Sequence, residues 1–161
     1  MDAKRVLIAY QTKSGVTEQS ANLIAEVLRE KHHLVVDVVD LKQHGKPDIE
    51  PYGLVVIGSG IRIGMWYGRA KRMLGRDYGD RRVAVFLSSG RAGDPKQHQM
   101  AVEKYLTKVL RKKGNLNVVA AEAFGGWYKV RGEVQQDFRE PERVRMWADE
   151  VGRKLEAWEQ G

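Results

Sequence analysis

Three hydroxyl side chains, a lysine and a glycine fall within six residues in the run Thr12-Lys13-Ser14-Gly15-Val16-Thr17. The chemistry open to such a run is the binding of an anion. It follows the apolar, strand-like Val6-Leu7-Ile8-Ala9-Tyr10 and opens a segment in which Leu23, Ile24, Val27 and Leu28 share one helical face. The first amides of a helix have no intrahelical acceptor and point outward, so an anion there meets several N–H donors and the positive end of the helix dipole. The hydroxyls of Thr12, Ser14 and Thr17 add donors, and Gly15 lets the backbone come close. The same residues also suit an ordinary strand-to-helix turn with an N-cap, so the choice rests on the rest of the chain.

Two later loops have a related composition. The stretch from Gly58 to Trp66 contains Ser59, Gly60, Ile61, Arg62 and Gly64 and runs on into Tyr67; the stretch from Ser88 to Asp94 contains Ser89, Gly90, Arg91 and Gly93. With the first loop they supply six glycines, several hydroxyls and an aromatic pair, but no pair of carboxylates. Such loops can hold a phosphate, bring backbone amides to a planar ring and stack an aromatic side chain on it. A dinucleotide fingerprint is disfavoured, because Gly64 comes one residue late for G-x-G-x-x-G and the run follows the third strand. A phosphoacceptor domain needs aspartates where this chain has Tyr10-Gln11 and Gly58-Ser59. His32 and His33 are adjacent and diverge, while His44 and His98 have no nearby ligand set, so no metal site is expected.

The elements that must carry these loops are legible as an alternation of short apolar runs with helix-period segments, the pattern of α/β architecture. Strands are expected at Val6–Tyr10, Leu34–Val39, Leu54–Ile57, Val83–Leu87 and near Asn117–Phe124. Helices are expected after the first loop, around Trp66 to Leu74, after Asp94-Pro95, and over the stretch that carries Val144, Trp147, Val151 and Leu155. Asp94 and Pro95 read as the N-cap and first-turn proline of the third helix, whose Val102, Tyr105, Leu106, Val109 and Leu110 share a face. In an open parallel sheet, ligands gather beyond the carboxyl ends of the strands where the strand order reverses, which puts the three loops together.

A chain of 161 residues is one domain, read here as 1–161. It has no cysteine, so disulfides, thiolate metal sites and cysteine nucleophiles are excluded, and redox chemistry requires a bound cofactor. With no leader-like apolar run or transmembrane segment, a cytoplasmic protein is expected. Its formal charge of +7 favours acidic partners or anionic lipid surfaces; a specific nucleic-acid partner is not expected. Arg69, Arg72 and Arg76 recur at helical spacing and read as a solvated face. Trp127, Trp147 and Trp158 read as packing residues.

The stretch from Val6 through Leu28, with its T-x-S-G-x-T loop, resembles the flavodoxin signature, and Gly58-Ser59-Gly60-Ile61-Arg62-Ile63-Gly64 resembles the second flavin loop of that family. That loop and its aromatic sequel are similar to the branch containing menaquinone-dependent protoporphyrinogen oxidase. The resemblance spans nearly the whole chain. It implies a flavodoxin-like, doubly wound α/β fold with a five-stranded parallel sheet, strand order 2-1-3-4-5 and helices on both faces. It also implies a flavoprotein that binds FMN and serves electron transport, as an electron carrier for a redox partner protein or as an oxidoreductase acting on a quinone or porphyrinogen; a noncatalytic binding domain that has kept the fold is the third reading. By that resemblance Thr12, Ser14, Gly15 and Thr17, with Lys13 and Val16 in the same loop, hold the phosphate. Ser59, Gly60, Ile61, Arg62 and Gly64, together with Ser88, Ser89, Gly90, Arg91 and Gly93, flank the isoalloxazine ring, and Trp66 or Tyr67 stacks on it. No protein acid, base or nucleophile is implied.

Two features depart from the family pattern. The third loop has no aromatic residue, so one ring face is expected to be open to a substrate or partner, which weighs toward the enzyme. The region Gly125-Gly126-Trp127-Tyr128-Lys129-Val130-Arg131-Gly132 is shorter and more polar than the oxidase's insertion near its last strand, which weighs toward the carrier.

Overall fold

A strand buried on both faces reads as an unbroken apolar run whose alternate side chains enter two different cores. In β1 (Asp2–Gln11), Val6, Ile8 and Tyr10 enter one apolar layer and Leu7 and Ala9 the other. The computed structural model describes residues 2–160. After β1 come α1 (Val16–His32), β2 (Val35–Asp40), β3 (Tyr52–Arg62), the two-residue β4 (Met65–Trp66), α2 (Gly68–Leu74), β5 (Arg82–Ser89) and a single turn, α3 (Gly90–Gly93). A helical rod over residues 98–111 follows, composed of α4 (His98–Ala101), a π-helical stretch (Val102–Thr107) and α5 (Lys108–Arg111). The chain ends with β6 (Asn117–Gly125), the hairpin β7 (Trp127–Val130) and β8 (Glu133–Asp137), and α6 (Pro141–Gln160).

Five parallel strands lie in the order β2-β1-β3-β5-β6, and β4 folds back antiparallel on β3. Counting the parallel strands alone, this is the expected 2-1-3-4-5. Helices α1 and α6 cover one face, where Ile24, Leu28, Val144, Trp147 and Val151 pack on Val6, Ile8 and Phe86. On the other face Met73, Leu74, Tyr105 and Leu106 pack on Leu7, Val55, Ile57 and Val85. The sheet is thus doubly wound, and the carboxyl ends of β1, β3 and β5 share one edge.

The structure corrects three local expectations. The helix expected from Trp66 begins at Gly68, because Ile63 (φ 50°) and Gly64 (φ 71°) are both left-handed, as a two-residue hairpin turn requires, and they return the chain as β4. Asp94 does not cap a helix at Pro95. Its carboxylate accepts the Lys96 amide at 3.0 Å and the Gln97 side chain at 3.0 Å, closing a turn that delays the helix to His98. The face of Arg69 and Arg76 is not merely solvated, since Arg69 donates to the carbonyls of Leu41 (2.8 Å) and Lys42 (2.6 Å) and Arg76 to that of Pro47 (2.5 Å). These bonds tie the loop after β2 to α2 and to the turn that follows it.

His32 joins the two helices of one face. Its Nε2 lies 2.8 Å from Asp149 and its Nδ1 2.6 Å from Glu156, both on α6, and a Cβ on Gly152 would come within 2.2 Å of the ring. The hydrogen bond from His32 holds the Asp149 carboxyl below the usual carboxylate range. A depressed folded-state value means stability that is present above the unfolded value of about 4 and lost as pH falls through the folded one. Urea unfolding at stepped pH is therefore expected to show a decline below about pH 4 that is shallower in His32→Ala, because the Asp149 contribution is then missing.

Candidate functional site

The loop after β1 forms the deepest part of the site. Gly15 adopts φ 93°, and its amide donates to Thr12 Oγ1 at 3.0 Å, which folds the loop over the start of α1. The first helical bond runs from the Gln19 amide to the Gly15 carbonyl at 3.0 Å, so the amides of Val16, Thr17 and Glu18 have no helical acceptor. Val16 and Thr17 line a chamber of about 60 Å³ with Thr12, Lys13, Ser14, Gly60, Ile61, Tyr67, Ser88, Ser89, Gly90, Gly126 and Trp127. Ser88 Oγ is buried in this wall without a hydrogen-bond partner. Buried hydroxyls seldom go unpaired, and a bound oxyanion would satisfy this one.

The chamber adjoins a cleft of about 920 Å³ with which it shares Lys13, Ser14, Ile61, Tyr67, Ser89, Gly90 and Trp127. Arg62, Gly64 and Arg91 line the cleft, together with Ile63, Lys104, Tyr105, Tyr128, Lys129 and Gly132. No carboxylate lines it, whereas Lys13, Arg62, Arg91, Lys104 and Lys129 all do. The volume lies near the top of the range of about 300–1,000 Å³ for small-molecule sites.

Four of the residues singled out in the sequence lie outside both linings. Gly15 shapes the backbone only. Ser59 Oγ donates to the Gly60 carbonyl at 2.7 Å and accepts the Tyr67 amide at 3.1 Å, so the buried hydroxyl is a strut that fixes Tyr67. Trp66 turns into the core and its indole N–H donates to the Tyr105 carbonyl at 2.7 Å, which leaves Tyr67 as the aromatic of this loop that faces the cleft. Gly93 sits against the return of the hairpin, where a Cβ would meet Phe138 Cβ at 2.4 Å. The ring of Tyr67 lies over Gly60, since a Cβ there would be 2.8 Å from its Cε2. Burial raises the Tyr67 phenol above its usual value and nearby Arg62 opposes the shift, so the group is neutral near pH 7.

The cleft also has a wall built from residues that sequence reasoning placed elsewhere. Trp127 is not a packing residue alone: it lines both the chamber and the cleft, with the Lys129 ammonium 4.8 Å and the Arg139 guanidinium 4.6 Å from its ring centre. It stands on a hairpin closed by Arg131 (φ 51°) and Gly132 (φ 82°) and anchored where the Phe138 amide donates to the Gly126 carbonyl at 2.9 Å. Arg139 grips Asp137 at 2.6 Å, and that pairing lowers the Asp137 carboxyl to about 2. Gly132 between Trp127-Tyr128-Lys129-Val130 and Glu133-Val134 is the one sequence sign of this hairpin, a weak one because arginine, not asparagine or aspartate, precedes it. Lys104 and Tyr105 reach the cleft from the π-helical stretch, for which the sequence gives no comparable sign.

The donor set fits a ligand with one phosphate and a planar ring: amides and hydroxyls converge in a small chamber, one hydroxyl there lacks a partner, and Tyr67 and Trp127 stand beside it. Comparison with known proteins agrees with this geometry. The sequence profile described as "Flavodoxin domain" matches residues 7–136. The fold is similar to the flavodoxin WrbA-like protein from Agrobacterium tumefaciens (TM-score 0.66, 12% identity, covering 95% of this chain and 98% of that one). It is similar also to oxidised flavodoxin 2 from Bacillus cereus (TM-score 0.57, 19% identity, 95% and 98% covered). A further similar structure is the rubredoxin oxygen:oxidoreductase of Desulfovibrio gigas (TM-score 0.63, 20% identity, 96% of this chain), of which this chain spans 36%. No curated protein matches by sequence. With the profile covering most of the chain and the strand order, loop placement and chamber all of one kind, this protein belongs to the flavodoxin domain family.

Proposed function

We propose that this protein binds one FMN noncovalently and transfers electrons between it and a second molecule received in the basic cleft. The observation that carries this reading is the continuity of the hydroxyl-lined chamber, with its unpartnered Ser88 Oγ, and the aromatic-walled cleft. Thr12, Ser14, Thr17 and the first amides of α1 hold the phosphate, and Lys13 adds a positive charge at the chamber. Tyr67 and Trp127 flank the ring, while Gly60 and Gly90 keep the backbone close to it. Purified protein titrated with FMN is expected to become yellow and to quench flavin emission; absence of both would sink the reading.

The platform makes a separate expectation. Tyr67→Ala and Trp127→Ala are each expected to brighten bound flavin and to weaken it by about 0.5–1.5 kcal/mol beyond the area lost. Unchanged emission and affinity in both variants would remove these residues from the ring site.

The five basic residues that line the cleft, Lys13, Arg62, Arg91, Lys104 and Lys129, also favour an enzyme, a quinone reductase or porphyrinogen oxidase, over a bare carrier. Among the described residues no helix is long and apolar enough to cross a membrane, so a lipid-soluble quinone would be met from the surface. Exposed Ile63 and Met65 beside Arg62 are the residues placed to touch anionic lipid there. Anaerobic titration of the reduced protein separates the readings. Rapid saturable turnover with quinone or porphyrinogen selects the enzyme, and slow turnover with fast exchange to a redox protein selects the carrier.

A further inference from the structure

The π-helical stretch Val102–Thr107 interrupts an otherwise α-helical rod at the point where it meets the cleft. Wide turns of this kind re-aim side chains and recur at functional sites. Here the re-aimed residues are Lys104 and Tyr105, which line the cleft but not the phosphate chamber. Their position is fixed from the opposite wall: the buried Trp66 indole donates to the Tyr105 carbonyl at 2.7 Å, and Trp66 pairs with Ile61 across the hairpin that carries Arg62 and Gly64.

Tyr105 is only 4% exposed, yet it forms part of the cleft wall. Its Cε1, the carbon beside the phenol carbon, stands 3.7 Å from where a Cβ on Gly64 would be. Among the described residues its hydroxyl has no protein hydrogen-bond partner, and it is not sealed from solvent, so it is free to donate to a molecule in the cleft. Arg62, Arg91, Lys104 and Lys129 line the same space, and none of them pairs with a carboxylate among the described residues. Unpaired cations around an unpartnered phenol donor describe a place for an oxyanion. Because the phenol is recessed, only a group small enough to enter the cleft can reach it. That favours a small molecule over the surface of an acidic protein.

We propose that Lys104 and Tyr105, with Arg62, form a subsite for the carboxylate of a small organic molecule, separate from the phosphate chamber. The Tyr105 hydroxyl donates to one carboxylate oxygen, Lys104 supplies a compact charge, and the planar guanidinium of Arg62 can grip both oxygens. The subsite rests on the functional reading above only in that it makes the second molecule of that reading an organic anion; the anion site itself requires no flavin.

The test uses benzene-1,3,5-tricarboxylate as probe, measured by calorimetry on the protein alone and on the FMN-loaded protein, against its uncharged trimethyl ester. Binding of the tricarboxylate to both forms is expected, with the ester at least tenfold weaker. Tyr105→Phe and Lys104→Met are each expected to weaken the probe severalfold and together at least tenfold, with FMN affinity unchanged and with Lys112→Met, outside the cleft, without effect. Equal losses in Lys112→Met, or equal binding of the ester, would overturn the proposal. So would loss of FMN affinity in Tyr105→Phe with exclusion of the probe by FMN, which would assign these residues to the cofactor. Tighter binding of polyglutamate that depends on Lys104 and ignores Tyr105→Phe would replace the small anion with an acidic protein. If FMN fails to bind while the tricarboxylate still requires Tyr105, the flavin reading falls and the subsite stands.

Discussion

FMN affinity is expected to fall by about 3–6 kcal/mol when Thr12 and Thr17 are both replaced by valine, from about 1.5–3 kcal/mol for each hydrogen bond to a charged group. Riboflavin affinity is expected to change far less. The asymmetry follows from where the hydroxyls are. Thr17 is 1% exposed in the wall of the chamber, so its Oγ1 has little water to turn to, and valine there preserves shape while removing the donor. Thr12 accepts the Gly15 amide at 3.0 Å, which leaves its own proton available for an incoming oxygen. Thr12→Ser keeps both functions and is expected to bind FMN nearly as the natural chain does. Fluorescence titrations of FMN and riboflavin against the same variants check this. Equal losses for the two ligands would show that the loop holds the ring and that the chamber serves something else.

The helix N-terminus at Val16 was legible because its signals are local: an apolar strand, a glycine, hydroxyls and a helical apolar face in consecutive residues. The strand order is legible through the family resemblance, and the gathering of the three loops at the carboxyl ends of the strands follows from it. The two hairpins were not read, although Ile63-Gly64 and Arg131-Gly132 each mark one. Without the tertiary context, a positive φ at isoleucine or arginine has no clear sequence sign. In the sequence Trp127 reads as a packing residue because site aromatics and core aromatics share a composition, and only the hairpin decides which a given ring becomes. Tyr105 fell inside an apolar helical stripe with Val102, Leu106 and Val109, and the stripe was correct: Tyr105 is buried in that core. Its second role depends on the π-helical stretch, which breaks the period of 3.6 on which stripe reading rests. Ser59 misled in the other direction. A serine between glycines in a ligand loop looks like a donor, whereas its bonds to Gly60 and Tyr67 use it as a brace.

Phe86→Ala is expected to lower stability by about 3–5 kcal/mol, the usual range for removing a buried aromatic ring. The ring is fully buried at the centre of β5, 6.4 Å from the Phe124 ring and 6.1 Å from that of Trp147, and it joins α6 to the sheet. Its socket is Gly58, its register partner on β3, where a Cβ would stand 2.2 Å from the ring's Cζ. Gly58→Ala therefore overpacks the same spot and is expected to cost about 1–3 kcal/mol in the natural chain. The two changes must couple. With alanine at position 86 the space the glycine protects is empty, so the cost of Gly58→Ala is expected to shrink by about 1 kcal/mol or more. Urea unfolding of the four members of the cycle measures the coupling, and additive energies would show that the ring does not rest on Gly58. The result bears on the site because Gly58 adjoins Ser59 and Phe86 stands two residues before Ser88, on the strands that carry the chamber wall. If the ring sets the distance between β3 and β5, the chamber inherits its width from a core contact. The uncoupled single variants are then expected to lose FMN affinity beyond what their unfolded fraction explains, and the double variant to recover part of it.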